Sequence, residues 1–285
     1  MASPAAANGT SSSGDHEKLT QHMSQEERQA AQAAAKFGYG PLAKVETSGD
    51  RLPAFGGEFQ PGLYKPVAAR KLGNPAPLGL SAFALTTFVL SLINVGARDL
   101  TSPSLVIAIA YGYGGLVQLL AGMWEMAVGN TFGATALSSY GGFWLSFAII
   151  LTPGGFEIES TLTADGTSPF YDSFGLYLMG WFIFTFILLV CTLRSTVAFF
   201  LLFFFLDLAF LLLGIGYLHR DAAGSPNPPI IKAGGYFGLF AAFMAWYNAL
   251  AGIADNSNSF FIIPVAHFPW SEKGLARKKD LSHEA

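Results

Sequence analysis

The stretch SFGLYLMGWFIFTFILLVCTL occupies Ser173–Leu193, and STVAFFLLFFFLDLAFLLLGIGYL follows it at Ser195–Leu218. Arg194 separates the two stretches, and Asp207 is the only charged residue inside either of them. An α-helix needs about 20 apolar residues to cross a hydrocarbon core roughly 30 Å thick. Both stretches are long enough, so together they predict two membrane-spanning helices joined by a turn of a few residues.

Four further stretches carry no charged residue at all: Gly73–Ala97, Leu100–Trp124, Met126–Phe156 and Ala233–Ala254. The helices of a soluble protein would instead carry charged residues along the face that meets water. The whole chain agrees with this pattern, because 52% of its residues are hydrophobic and only 12% are charged. The sequence therefore predicts an all-α, multi-pass integral membrane protein with six transmembrane helices.

The polar ends of the chain are predicted to lie outside the membrane. Residues 1–70 are expected to form a disordered cytosolic tail, residues 71–255 the six-helix transport domain, and residues 256–285 a second cytosolic tail. Within the first tail, Ser24–Lys36 is predicted to form a weak helix in which Ser24 and Glu27 make a capping box. The tail lacks the apolar core of a signal peptide.

Lysine and arginine residues near the spans predict the orientation of the chain, because they are enriched on the cytoplasmic side. An even number of spans places both termini on one side. Eight such residues lie on that side and three on the other. The two groups are Lys65, Arg70, Lys71, Arg194, Lys273, Arg277, Lys278 and Lys279, against Arg98, Arg220 and Lys232. Both termini are therefore predicted to be cytoplasmic.

Short connections and small residues predict how the helices pack. The connections near Gly129 and Arg194 contain only a few residues, so the helices that they join are expected to pack antiparallel. Small residues four positions apart, Ala110 with Gly114 and Gly234 with Gly238, are expected to allow close contact between helices.

Several classes of function have no support in the sequence. There is no basic patch for nucleic acid beyond the short cluster at Arg277–Lys279, and no sequence motif of a soluble enzyme. Cys191 is the only cysteine, so neither a disulfide nor a paired cysteine metal site is expected, and Cys191 is predicted to pack as a small apolar residue. We expect no enzyme activity, no metal and no cofactor.

Polar residues inside the spans are costly in lipid and usually mark a transport pathway. Three helical faces carry such residues and predict a narrow pore. They are Phe83 with Thr87, Ser91 and Asn94; Tyr111 with Gln118 and Glu125; and Thr131, Thr135, Ser138 or Ser139, Gly142 and Ser146. Alternatively, the hydroxyl groups only bond to carbonyls of their own helix, and Glu125 reaches the membrane–water interface. Asp207 is either a proton-coupling group or a structural hydrogen-bond donor.

The first span opens with Asn74-Pro75-Ala76-Pro77-Leu78-Gly79-Leu80. Asparagine is a good N-cap residue, and proline is favoured in the first helical turn. The positive end of this helix suits a small carboxylate bound beside Asn74. The alternative is that the motif simply begins the helix.

These motifs, taken in order along the chain, resemble the acetate uptake transporter family, that is, the acetate–succinate permeases of the SatP/YaaH type. The matching residues cover about residues 70–255. They are Asn74–Phe83, Thr86-Thr87, Tyr113–Gly115, Gln118, Ala121-Gly122, Glu125, Gly129–Gly133, Ser139–Gly141, Phe143-Trp144, Thr192-Leu193, Gly235 and Gly238. The long N-terminal tail and Trp246–Ala249 resemble the fungal branch.

The resemblance implies a hexamer of six-helix subunits with a separate pathway through each. It implies proton-linked transport of acetate and similar short carboxylates, with succinate as a further substrate, across the plasma membrane. It also implies a hydrophobic gate at Phe83, Tyr140 and Leu206, and a residue linked to substrate size at Ala245. Together with the polar faces, the expected substrate-binding residues are Asn74, Thr87, Asn94, Gln118, Glu125 and Ala245.

The sequence leaves two other functions open. An ammonium or ammonia exporter is expected to have a pore lined by histidine, whereas His16, His22, His219, His267 and His283 all lie outside the spans or at an edge. A non-transporting acetate sensor would signal through the N-terminal tail, which is rich in serine and threonine residues that can be phosphorylated.

Overall fold

The computed structural model describes residues 23–35, 72–255 and 257–283. The chain divides into two units, Met1–Leu72 and Gly73–Ala285. In the first unit, Gln25–Ala35 form a helix. The backbone N–H of Ser24 donates to Oε2 of Glu27 at 2.8 Å, and the N–H of Glu27 donates to Oγ of Ser24 at 3.3 Å, which confirms the capping box. These bonds lower the pKa of the Glu27 carboxyl below its usual value. Most of the predicted disordered tail lies outside the described residues.

Six long helices make up most of the second unit and are numbered here in chain order. They are α1 (Ala76–Asn94), α2 (Ser104–Ala127), α3 (Thr131–Leu151), α4 (Ser168–Cys191), α5 (Val197–Leu218) and α6 (Pro228–Ile253). Each is long and apolar enough to cross a membrane. A short helix, Ile158–Thr163, lies between α3 and α4, and Glu272–His283 form a C-terminal helix. The prediction of an all-α protein with six candidate spans is confirmed.

Two helices begin at other residues than the sequence predicts, because the residue that caps the helix differs from the expected one. α6 begins at Pro228 rather than Ala233, because the side chain of Asn227 accepts a hydrogen bond from the N–H of Ile230. Lys232 therefore lies in the second turn of the helix. At α1 the cap position is Pro75, one residue later than predicted, although Oδ1 of Asn74 still accepts from the N–H of Ala76 at 3.2 Å.

The six helices pack side by side in the order α3, α2, α1, α6, α5, α4. The two pairs with short connections, α2 with α3 and α4 with α5, are packed neighbours, as predicted. Side-chain hydrogen bonds also connect α3 with α4, the first and the last helix in this order. Tyr140 and Thr185 share a hydrogen bond of 2.9 Å, and Ser146 and Tyr177 share one of 2.6 Å.

Small residues allow these helices to approach closely. A Cβ atom on Gly114 would lie 2.5 Å from Oγ1 of Thr86, and one on Gly235 would lie 2.9 Å from Cβ of Asn94. A Cβ on Gly238 would collide with the side chain of Ser91. The close contacts predicted at Gly114 and Gly238 are therefore confirmed, and both are contacts that α1 makes with its neighbours within the chain.

One irregularity of α2 could not be predicted from periodicity. Ala110–Val117 form a π-helix between two α-helical segments. A π-helix has more residues in each turn than an α-helix and rotates the helical segment after it. The hydroxyl of Tyr111 shares a hydrogen bond of 3.0 Å with Oγ1 of Thr152 at the end of α3. Tyr111 is thus engaged with α3 and does not continue the polar face of Gln118.

Candidate transport pathway

A cavity of about 400 Å³ lies at the end of the helix group where α1 begins and where α2 and α3, and α4 and α5, are joined. We call it the Gln118 cavity. Residues from both of the tight turns line it, including Asn130 and Arg194. The buried residues Phe83, Tyr140 and Leu206 also line it.

A second cavity, of about 320 Å³, lies at the opposite end, and we call it the Thr87 cavity. Thr87, Ser91 and Asn94 line it from α1, which is where the spacing of these residues predicts a common face. Thr101, Glu159 and Pro226 belong to its lining from the connections between helices.

The two cavities share Phe83 and Leu206, which form a partition between them. Tyr140 packs against this partition, with its ring centroid 5.8 Å from that of Phe83. Each of the three side chains is at most 4% exposed. The structure thus brings together the three residues named for the gate, and their role in gating stays a prediction.

Tyr140 is held in place by a dense group of aromatic rings. Its ring stacks on Phe210 at 6.4 Å and lies 6.0 Å from Trp181 and 5.9 Å from Phe184. Such spacings are favourable for aromatic pairs. With its hydroxyl bonded to Thr185, the ring can move only if several neighbours move with it.

Gln118 is fully buried and lines the first cavity. Within the described part of the chain, neither its amide nitrogen nor its amide oxygen has a hydrogen-bond partner. Leaving a buried polar group without a partner costs about 1–3 kcal/mol. A packing role does not require an amide here, whereas an amide facing a cavity can donate to a bound carboxylate.

Glu125 is 1% exposed and lies in the last turn of α2, just before the connection to α3. Its Oε2 accepts from Nδ2 of Asn130 at 2.6 Å, while Oδ1 of Asn130 accepts from the N–H of Gly133 at 3.0 Å. Asn130 lines the Gln118 cavity and Glu125 does not. The structure therefore places Glu125 behind the cavity wall, where it supports a residue that faces the cavity.

Asn74 and Ala245 are not brought to either cavity. Asn74 is exposed, and Ala76 is the member of its helix-opening turn that lines the Gln118 cavity. Pro75 and Pro77 have no N–H, and the N–H of Ala76 is bonded to Asn74, so few free donors remain at this helix end. Ala245 is fully buried within α6. Binding roles for both Asn74 and Ala245 stay predictions.

The third polar face is not where the sequence predicts it. Thr131 and Thr135 are exposed, and the hydroxyl of Ser146 donates to the carbonyl of Phe143. The face of α3 that meets the cavities is aromatic instead, with Tyr140 and Phe143. A pattern of hydroxyl groups could not show this, because both faces of α3 repeat with the same helical period.

Three further residues are placed in ways the sequence does not show. The prediction that Cys191 packs as a small apolar residue inside the fourth span is wrong, because Cys191 is the last residue of α4, is exposed and lines the Gln118 cavity. Asp207 is 6% exposed and lines neither cavity, and its Oδ1 has no hydrogen-bond partner among the described residues. Arg194 entered the sequence argument only through its charge, yet it lines the Gln118 cavity.

Comparison with known proteins agrees with this architecture. A sequence model of the GPR1/FUN34/yaaH family matches residues 55–270. The chain belongs to this family. The resemblance found from the motifs is thereby confirmed.

Several relatives within the GPR1/FUN34/yaaH family, though not all of them, carry the names of transport proteins. Acetate permease A of Emericella nidulans is 75% identical over 90% of this chain and 86% of its own length. Ammonia transport outward protein 2 of Saccharomyces cerevisiae is 49% identical over 79% of this chain and 76% of its own. The succinate-acetate/proton symporter SatP of Escherichia coli is 37% identical over 68% of this chain and 96% of its own.

A solved structure shares the fold. The bacterial acetate channel SatP is 36% identical and matches with a TM-score of 0.58, which covers 69% of this chain and all of the bacterial one. The chain is therefore a membrane protein of the same architecture as an acetate channel.

Proposed function

We propose that this chain is a proton-linked permease that moves acetate and related short carboxylates, with succinate as a further candidate, across the plasma membrane. The observation that carries the proposal is the pair of cavities that enter from opposite ends and meet at Phe83 and Leu206. An enzyme would need one enclosed site with reactive groups, whereas a permease needs access from both sides. The names of acetate permease A and of SatP support acetate as the substrate.

The partition suits a weak acid. Phe83, Tyr140 and Leu206 exclude water and hydrated ions, since desolvating a full charge between apolar side chains is costly. Acetate can cross as the neutral acid once the rings move, so that the proton travels with its substrate. Gln118 on one side, and Thr87 and Asn94 on the other, supply the polar contacts that receive it.

The distribution of lysine and arginine residues supports an orientation with both termini in the cytoplasm. The Gln118 cavity then opens to the cytoplasm, and the Thr87 cavity opens to the outside. We further propose that the protein assembles as a hexamer with one pathway in each subunit, as the family resemblance implies.

The decisive experiment measures uptake of labelled acetate into liposomes that contain the purified protein, with and without an inward proton gradient. Saturable uptake driven by the gradient is the expected result. Saturable uptake that ignores the gradient would contradict the proton linkage alone. The absence of saturable uptake under both conditions would contradict the permease.

Export of ammonia is the second candidate, because two relatives in Saccharomyces cerevisiae are named as ammonia transport outward proteins. Among the described residues no histidine lines either cavity, and the aromatic rings in their linings are those of Phe, Tyr and Trp. Methylammonium flux in the same liposomes tests this candidate directly. A non-transporting acetate sensor would bind acetate but show no flux of either substrate.

A further inference from the structure

The turn between α4 and α5 brings a positive charge to the Gln118 cavity. Arg194 is the only charged residue of that cavity's described lining. No acidic side chain within the described residues forms an ion pair with it. Arg194 is an exposed residue of the cavity's lining, so it can meet a solute that enters from the solution.

The opposite cavity carries the opposite charge. Glu159 is the only charged residue of the described lining of the Thr87 cavity. Of the cations at that end, Arg220 is bound to the carboxylate of Asp172 at 2.9 Å, and neither it nor Arg98 nor Lys232 lines the cavity. The two ends therefore treat a carboxylate differently: one attracts it and the other repels it.

A segment distant in sequence holds the Arg194 turn in place. The N–H of Val197 donates to the carbonyl of Ala266 at 2.7 Å, and the indole N–H of Trp270 donates to the carbonyl of Leu193 at 2.7 Å. Phe268 stacks on Trp270 with ring centroids 4.9 Å apart. The two hydrogen bonds therefore fix the backbone on both sides of Arg194, at Leu193 and at Val197.

We propose that Arg194 is a positioning residue that draws the substrate carboxylate into the Gln118 cavity, and that Ala266–Trp270 hold Arg194 at the cavity's edge. The inference rests on the proposed function for its substrate. Its electrostatic part stands independently, because a fixed positive charge at a cavity raises the local concentration of any small anion.

Cys191 allows this electrostatic part to be measured without transport. It is the only cysteine of the chain, is exposed, and lines the same cavity as Arg194. The full-length protein in detergent is treated separately with an anionic thiol reagent, sulfonatoethyl methanethiosulfonate, and with a cationic one, trimethylammonioethyl methanethiosulfonate. The ratio of the two labelling rates reports the potential at the cavity.

Arg194→Gln is expected to lower the anionic-to-cationic ratio about tenfold, and Arg194→Lys to keep it near the wild-type value, because the ammonium retains the charge. Arg98→Gln is the matched control, since it removes the same charge from a loop residue that lines neither cavity. High salt should bring the wild-type ratio close to that of Arg194→Gln. An unchanged ratio in folded Arg194→Gln would overturn the proposal.

Transport provides the second measurement. In proteoliposomes, Arg194→Gln is expected to raise the acetate concentration at half-maximal exchange about fivefold with little change in maximal rate, and Arg194→Lys to restore it. A shifted labelling ratio with normal acetate affinity would overturn the role of Arg194 in positioning the substrate. If wild-type protein showed no acetate flux at all, the proposed function would fail, while the labelling result would still decide the electrostatic part.

Trp270→Phe tests the part assigned to the C-terminal segment. It removes the indole N–H that bonds to Leu193 and keeps an aromatic ring for Phe268. We expect the labelling ratio to fall about twofold to threefold, in the direction of Arg194→Gln but less far. Phe260→Leu, at an exposed position in the preceding loop, should leave the ratio unchanged. A wild-type ratio in Trp270→Phe would show that the segment does not position Arg194.

Discussion

At the scale of single residues, apolar and polar groups occupy different positions around the two cavities. Phe83, Tyr140 and Leu206 are almost completely buried and separate the two cavities. Gln118 carries a buried amide without a described partner in the wall of one of them. In the proposed pathway, the apolar partition excludes charge, and a polar group on either side offsets the loss of hydration as the substrate approaches.

Replacing a ring of the partition should widen the range of substrates. In Phe83→Ala or Tyr140→Ala, the uptake of a longer carboxylate such as butyrate relative to acetate is expected to rise about threefold or more, because extra methylene groups are then accommodated. Competition uptake in proteoliposomes measures this ratio. Phe88→Ala is the control, since Phe88 packs on Phe243 and Trp246 and lines neither cavity. An unchanged ratio in both partition variants would refute the gate.

Gln118→Leu separates a binding role from a structural one. The side chains are similar in size, so we expect the apparent KM for acetate to rise about tenfold through the loss of one hydrogen bond. The thermal unfolding midpoint should stay the same or rise, since an unpartnered buried amide is removed. A lower midpoint with an unchanged KM would assign Gln118 to the structure alone.

At the scale of helices, turns decide which residues face the cavities. Asn130 caps α3, binds Glu125 at the end of α2 and lines the Gln118 cavity. The preceding Gly129 has a φ of 84°, which permits the tight reversal. In the same way, the turn between α4 and α5 carries Arg194 to the edge of that cavity.

Asn130→Ala should destabilise the hairpin of α2 and α3. The cap contributes about 1 kcal/mol, and the buried carboxyl of Glu125 loses its only described hydrogen bond. We expect the thermal midpoint of the purified protein to fall by about 4 °C or more. Adding Glu125→Gln to this variant should recover part of the loss, because a neutral amide costs less to leave buried without a partner than a carboxyl group that can ionise. A double variant less stable than Asn130→Ala would argue against this account.

At the scale of the whole molecule, the surfaces of the six helices are apolar and largely exposed in the single chain. Between 28% and 50% of each span is buried within the protein. The rest faces lipid or, in the proposed hexamer, neighbouring subunits. The charged residues are concentrated at the helix ends and in the two tails, so the middle of each span carries almost no charge.

Removing residues 1–65 is expected to leave acetate flux within about twofold of the full-length value, because both cavities are built from residues after 72. The comparison uses equal amounts of reconstituted protein. Loss of flux on truncation would show that transport needs the tail. Acetate binding without flux in either form would favour the sensor.

Much of the fold could be predicted because hydrophobic length is a local property. Six apolar stretches implied six helices, and the short connections implied which of them pack antiparallel. The capping box at Ser24 and the motif residues could also be recognised, since each depends on neighbours within a few positions. The π-helix of Ala110–Val117 could not, because glycine permits several backbone conformations and packing selects one.

The site could be predicted only in part. The polar face of α1 was found because Thr87, Ser91 and Asn94 repeat with the helical period. The face of α3 was misjudged, since hydroxyl groups there bond locally or face outwards while aromatic residues line the cavities. Cys191 was misplaced because its exposure depends on where α4 ends relative to the cavity.

By itself, the sequence determined that the chain has six stretches long and apolar enough to span a membrane and that it belongs to the GPR1/FUN34/yaaH family, because length, hydropathy and motifs act over short distances. Only the tertiary structure decided that Phe83 and Leu206 separate two cavities, that Arg194 lies at the edge of one, and that Trp270 bonds to its turn. The physical reason is that these contacts join residues far apart in the chain, and their positions depend on the packing of all six helices together.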